Sequence, residues 1–130
     1  MAAWMSAPPC FAAEFIAGGA VIDRWYAALL AADRGGLSDL LADDARIRLD
    51  DLGIEQNKQE FLDSMDEWQA SAKGAAIRHR VEKNENGVST VIACYDFPGN
   101  DLLMREVFAI SGAVITAGAQ ARIADNCDSF

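Results

Sequence analysis

Ala75-Ala76-Ile77-Arg78-His79-Arg80-Val81-Glu82, then Asn84-Glu85-Asn86-Gly87, then Val88-Ser89-Thr90-Val91-Ile92-Ala93-Cys94-Tyr95-Asp96-Phe97, is the stretch that decides the fold. Upstream of Lys73-Gly74 the apolar residues recur at helical spacing, and downstream they alternate with period two almost to residue 123. Two alternating segments flanking an Asn-Gly predict a β-hairpin, with strands over 75–82 and 88–97. Further strands over 102–110 and 114–123, joined at Pro98-Gly99-Asn100-Asp101 and Ser111-Gly112, extend it into an antiparallel meander. Strands linked only by local hairpins expose one apolar face that must be covered.

The covering elements lie before residue 74. From Phe11 the residues Phe15, Ile22, Trp25, Tyr26 and Leu29 predict a first helix ending near Asp33, opened by Pro8-Pro9 and bent or delayed by Gly18-Gly19. A short helix over 37–41 follows Gly35-Gly36. Arg46-Ile47-Arg48-Leu49 alternates as a half-buried strand that Asp50-Asp51 and Gly53 end. Asn57 with Glu60 three residues on has the spacing of a capping box and opens a third helix, with Phe61, Met65 and Trp68 on one face. The expectation is one α+β domain over 1–130, with a leader at 1–10 and a tail at 124–130.

Composition excludes several function classes. Eleven Lys and Arg against 20 Asp and Glu give a formal charge of -9, which repels nucleic acid and anionic membranes, so neither is an expected partner. No apolar run approaches the roughly 20 residues of a membrane span. Three cysteines, Cys10, Cys94 and Cys127, without a C-x-x-C and with a single histidine, predict neither a disulfide framework nor a metal site. With no basic segment ahead of the apolar start, the expected compartment is the cytoplasm. There is no P-loop, dinucleotide glycine fingerprint or nucleophile elbow, so the expected chemistry needs no cofactor.

The segment Val21-Ile22-Asp23-Arg24-Trp25-Tyr26-Ala27-Ala28-Leu29, then Asp33 and Leu40-Leu41-Ala42-Asp43-Asp44-Ala45, resembles the entry to nuclear transport factor 2-like proteins. Within them it is similar to the SnoaL-like polyketide cyclases and steroid delta-isomerases, over about Ala20 to Ile123. The resemblance implies a cone-like curved antiparallel sheet wrapped around the N-terminal helices, with a mouth for a small, largely apolar molecule bearing a carbonyl or hydroxyl. It also implies a homodimer paired through the outer sheet face, for which Val91, Ala93 and Tyr95 are the expected apolar residues. In the isomerase pattern a helix tyrosine and a strand acid bind an oxyanion while a carboxylate at the first strand's end moves the proton. An ungapped match of the first helix places Trp25 at that tyrosine with Tyr26 beside it, and Leu49 at the base with Asp50 one residue late; counting back from Ile110, the last apolar residue before the turn, places Glu106 at the strand acid.

Four residues are therefore candidates for chemistry. Glu106 shares parity with Met104, Phe108 and Ile110, so it is either a buried proton donor or a strand-edge partner of Arg78 or Arg80. His79 falls between Ile77 and Val81 on the apolar parity and is either a general acid or base or a hydrogen-bonded core residue. Asp50 is either the base in a slipped register or part of a solvated turn. Tyr26 either offers a hydroxyl and lines the ligand with Trp25, Met104 and Phe108, or packs with Trp25 as simple core. Asp96, on the parity of Ile92 and Cys94, could reach inward or sit at the rim, while Cys94 reads as an inert buried thiol. Small residues at Ala117, Ala119 and Ala121 leave space on one face. The rival readings are a cofactor-free isomerase, lyase (dehydratase) or cyclase, a non-catalytic dimerisation or ligand-binding module, and a helper subunit of an oxygenase.

Overall fold

The computed structural model describes residues 10–130, with side chains from Gly18 onward. Its elements are α1 (Cys10–Leu30), α2 (Arg34–Leu40), β1 (Leu41–Leu49), β2 (Ile54–Asn57), α3 (Lys58–Asp63), α4 (Met65–Ala72), β3 (Ala76–Glu85), β4 (Val88–Phe97), β5 (Asn100–Ser111) and β6 (Val114–Ala124). The expected leader falls almost entirely outside the described residues. One curved, unclosed sheet of order β2-β1-β6-β5-β4-β3 wraps the helices, an α+β cone. No helix among the described residues is long and apolar enough to cross a membrane.

The decisive hairpin forms as its turn chemistry dictates. Asn86 (φ 53°) and Gly87 (φ 78°) both take the left-handed conformation that a two-residue turn between twisted strands requires. Its register continues as β4 to β5 to β6, all antiparallel. The sheet departs from the all-antiparallel expectation at one place, because β1 runs parallel to β6, with Ile47 opposite Gly118. A Cβ on Gly118 would come within 3.2 Å of the Ile47 side chain, so the inward small residue of β6 is this glycine. The alanines at 117, 119 and 121 lie on the other parity, so the face on which they leave space is the outer one.

Other boundaries shift for local reasons. Gly18 and Gly19 lie within α1, where a Cβ would meet nothing within 4 Å. The short helix starts earlier, at Arg34, because the Asp33 side chain accepts from the Gly36 N–H and caps it. Strand β2, not anticipated, pairs with β1 across the Asp50–Gly53 turn. Asn57 and Glu60 form the expected capping box, but the helix breaks at Ser64, whose hydroxyl donates to the Phe61 carbonyl, so α3 and α4 are two short helices.

The main core joins α1, α2, α3 and the inner sheet face through Ile22, Trp25, Leu37, Ile47, Phe61, Val91 and Phe108. Val91, Ala93 and Tyr95 belong to it, so the residues expected to carry a dimer face point inward. Their neighbours Ile92 and Cys94 point outward and form a second cluster with Leu103 under Ala124, Cys127 and Phe130. Strand β4 is covered on both faces, so both of its parities are apolar and alternation is silent about which faces the helices. The cover of the outer face is tied down by a Cys94–Cys127 disulfide, which corrects the expectation of free thiols. The guanidinium groups of Arg78 and Arg80 lie 4.8 and 5.5 Å from the Phe130 ring. The expected tail at 124–130 is thus a packed part of the fold.

Candidate functional site

Inside the cone the polar groups converge on one carboxyl. Glu106 lies in the middle of β5, opposite Val91 on β4 and Gln120 on β6, and is 1% exposed. Neither Arg78 nor Arg80 reaches it. Instead the Tyr26 hydroxyl from α1 donates to Oε1 at 2.5 Å, and the Tyr95 hydroxyl from β4 lies 3.0 Å from Oε1 and 2.8 Å from Oε2. Consecutive helical residues point about 100° apart, so a broad apolar face of α1 turns both Trp25 and Tyr26 toward the sheet.

Burial pushes the Glu106 carboxyl up, because desolvation of the charged form outweighs the two hydroxyls that would stabilise it. Both tyrosines are pushed well above their ordinary value, first by burial and then by the adjacent Glu106. The triad can hold its proton in two ways. With Glu106 ionised, both hydroxyls donate to it. With Glu106 neutral, Oε2–H donates to the Tyr95 oxygen and frees the Tyr95 proton for another acceptor.

Tyr26 and Tyr95 are the only tyrosines in the chain, so phenolate absorbance reports on this site alone. Their folded pKa values lie above the unfolded value of about 10, so the stability they contribute is complete below that pH and lost above it. In a spectrophotometric titration no phenolate should form until the protein unfolds, and then both should appear together. A noncooperative rise near pH 10 with native circular dichroism would contradict the buried triad.

The remaining candidates separate into those near the triad and those outside it. His79 lies on the inner parity of β3, opposite Ala93, with its ring stacked on Tyr26 at 4.5 Å and 20°. Its Nε2 lies 3.0 Å from Oδ1 of the exposed Asp23. Trp25 is fully buried between Phe61 and Phe108, and Phe108 also meets Tyr26 edge-on at 6.1 Å. Met104 is half-buried against the same core. Asp50, by contrast, sits in the turn after β1 and pairs with Arg48 Nε at 2.6 Å. Leu49 takes the inward position, so no acid from the first strand joins the site. Asp96 is exposed on the outer parity of β4.

Tyr95 and Asp23 are the members that the sequence reading missed. The inverted parity of β4 concealed Tyr95. Asp23 stands three residues before Tyr26, a helical spacing that does place it on the same side, next to the strand bearing His79.

The aromatic layer continues to the edge of the cone. Trp68 of α4 meets Tyr95 and Phe97 edge-on, both at 5.9 Å, and its Nε1–H donates to the Leu29 carbonyl at 2.6 Å. This latch joins the end of α1 to β4 across the inside of the cone. A separate cleft of about 540 Å³ lies on the opposite face of α1, lined by Arg24, Ala28, Ala31, Asp39 and Ala113, and does not include the triad.

Helices followed by this sheet order and curvature define the nuclear transport factor 2-like fold. Solved structures share it across most of their length. A nuclear transport factor 2-like protein of unknown function from Burkholderia xenovorans LB400 superposes with a TM-score of 0.71 at 13% identity, covering 84% of each chain. A protein proposed to be a ketosteroid isomerase, from Kribbella flavida DSM 17836, gives 0.68 at 12% identity, covering 83% of this chain and 78% of its own. IdmH from Streptomyces antibioticus, proposed to be a polyketide cyclase, gives 0.67 at 15% identity, covering 81% and 91%. No family model and no curated protein matches the chain by sequence.

Proposed function

We propose that the chain binds a small, largely apolar molecule with a carbonyl or enol oxygen and moves a proton next to that oxygen without a cofactor, as in an isomerase, dehydratase or cyclase. The observation that carries this reading is a fully buried carboxyl whose only described partners are two tyrosine hydroxyls and no cation. Such an acid holds its proton to higher pH; when a ligand oxygen enters, the Glu106 O–H turns to it from the Tyr95 oxygen and the Tyr26 hydroxyl turns to it from Oε1, so that both donate to the developing oxyanion. His79 is the proton carrier in this scheme. If Nε2–H donates to Asp23, Nδ1 keeps the lone pair and can take a proton from carbon beside the carbonyl, leaving the electron pair on the enolate oxygen. Asp50 has no part in it.

The triad is closed over, so ligand entry requires movement of the elements that cover it. The Kribbella and Streptomyces proteins lend analogy at the level of fold only. The packing of Trp25, Phe61 and Phe108 inside the cone favours a second reading, a non-catalytic module whose triad only fixes α1 on the sheet. Pairing of two copies would use the outer sheet face, where Val88 is exposed, in place of Val91, Ala93 and Tyr95. The Cys94–Cys127 bridge favours an oxidising compartment over the cytoplasm.

β-Naphthol, a planar enol mimic, separates the two main readings. It should bind the wild type, bind Glu106→Gln with a modest loss, and fail to bind Glu106→Ala. Equal binding to all three, or none to the wild type, would favour the non-catalytic module.

A further inference from the structure

The Trp25 indole nitrogen has no hydrogen-bond partner, although the residue is 0% exposed, and it is the one buried side-chain polar atom among the described residues left in that state. A buried donor without an acceptor is costly and calls for a reason. Packing alone does not supply one. The ring stacks on Phe61 at 5.3 Å and meets Phe108 edge-on at 5.8 Å, and a phenylalanine could make both contacts without carrying an N–H. The other described indole is satisfied, since Trp68 finds the Leu29 carbonyl.

Trp25 is also next to the site in space. Phe108 meets both Trp25 and Tyr26 edge-on, so the Trp25 indole and the Tyr26–Glu106–Tyr95 group belong to one aromatic layer. We infer that Trp25 Nε1 is a second ligand donor and that the natural ligand is a planar, apolar compound carrying two oxygens. One oxygen meets Glu106 and Tyr26, and the other, a carbonyl or hydroxyl oxygen, accepts from Trp25. The inference rests on the proposed oxyanion site and adds the substrate class to it. An indole N–H can only donate, so the second group must accept, and a charged carboxylate is disfavoured by the cost of burying it among aromatic rings.

The test compares β-naphthol with the isomeric dihydroxynaphthalenes, using protein with isotope-labelled tryptophan. At least one dihydroxy isomer should bind the wild type about tenfold tighter than β-naphthol, the value of one well-made hydrogen bond. The same isomer should move the Trp25 indole N–H resonance, assigned by its loss in Trp25→Phe, downfield, whereas β-naphthol should not. Trp25→Phe should erase the advantage of the second oxygen while β-naphthol still binds. The inference is overturned if no isomer gains, or if the gain survives in folded Trp25→Phe. Should that variant fail to fold, selective labelling of the wild type at position 25 gives the assignment, and an unmoved resonance overturns it. Equal β-naphthol binding by wild type and Glu106→Ala would instead defeat the oxyanion site itself, and the inference with it.

Discussion

Replacing Glu106 with alanine should lower the unfolding free energy by about 3–5 kcal/mol at neutral pH. The loss has two sources. Tyr26 and Tyr95 each lose their acceptor inside the core, and a buried donor left without one costs about 1–3 kcal/mol. The missing side chain also leaves a void beside Tyr26, Tyr95 and Val91 that a packed interior closes only in part. Glutamine behaves differently. Its oxygen accepts from Tyr26, its amide donates to the Tyr95 oxygen, and no charge is buried, so it should fall within about 1 kcal/mol of the wild type. Denaturant unfolding of the three proteins measures this. A near-neutral alanine variant would mean that the triad is not closed in solution.

The second large effect is redox-dependent. Reducing the Cys94–Cys127 bridge, or replacing Cys127 with serine, should cost about 3–4 kcal/mol, since the bridge closes a loop of 33 residues in the unfolded chain. At typical slopes this moves the urea midpoint by about 2 M. Loss of the cover over Ile92 and Leu103 acts in the same direction. The chain has three cysteines, so unfolding the oxidised protein should reveal one titratable thiol. Three thiols without added reductant would contradict the bridge.

These two sites mark where local pattern stops being informative. The hairpin at Asn86-Gly87, the cap at Asn57, the period change at Lys73-Gly74 and the alternation of Arg46-Ile47-Arg48-Leu49 are local signals, and with the helical spacing upstream they make the helices and five of the six strands legible. Strand β2 is local, pairing with β1 across the Asp50–Gly53 turn, but Ile54-Glu55-Gln56-Asn57 has no apolar alternation to announce it, while the parallel pairing of β1 with β6 joins segments far apart in sequence, which no local period encodes. Glu106 was legible because β5 has one clearly apolar parity. Tyr95 was not, because β4 is apolar on both faces, one under α1 and the other under residues 124–130. The same cover explains the disulfide, since Cys94 and Cys127 meet only after the chain folds back across the outer face.

The claim that connects fold to function is that burial outweighs the two tyrosine donors and keeps Glu106 a proton donor. Its folded pKa is raised, so the stability it contributes is complete below the unfolded value of about 4.3 and lost as pH rises through the folded value. Carbon-detected magnetic resonance of protein labelled at the glutamate carboxyl measures this directly, with the Glu106 signal assigned by its absence in Glu106→Gln. The account predicts that this signal titrates at higher pH than the carboxyls of the exposed glutamates, Glu55 and Glu67 among them. A Glu106 carboxyl that ionises together with them, or below them, would contradict it.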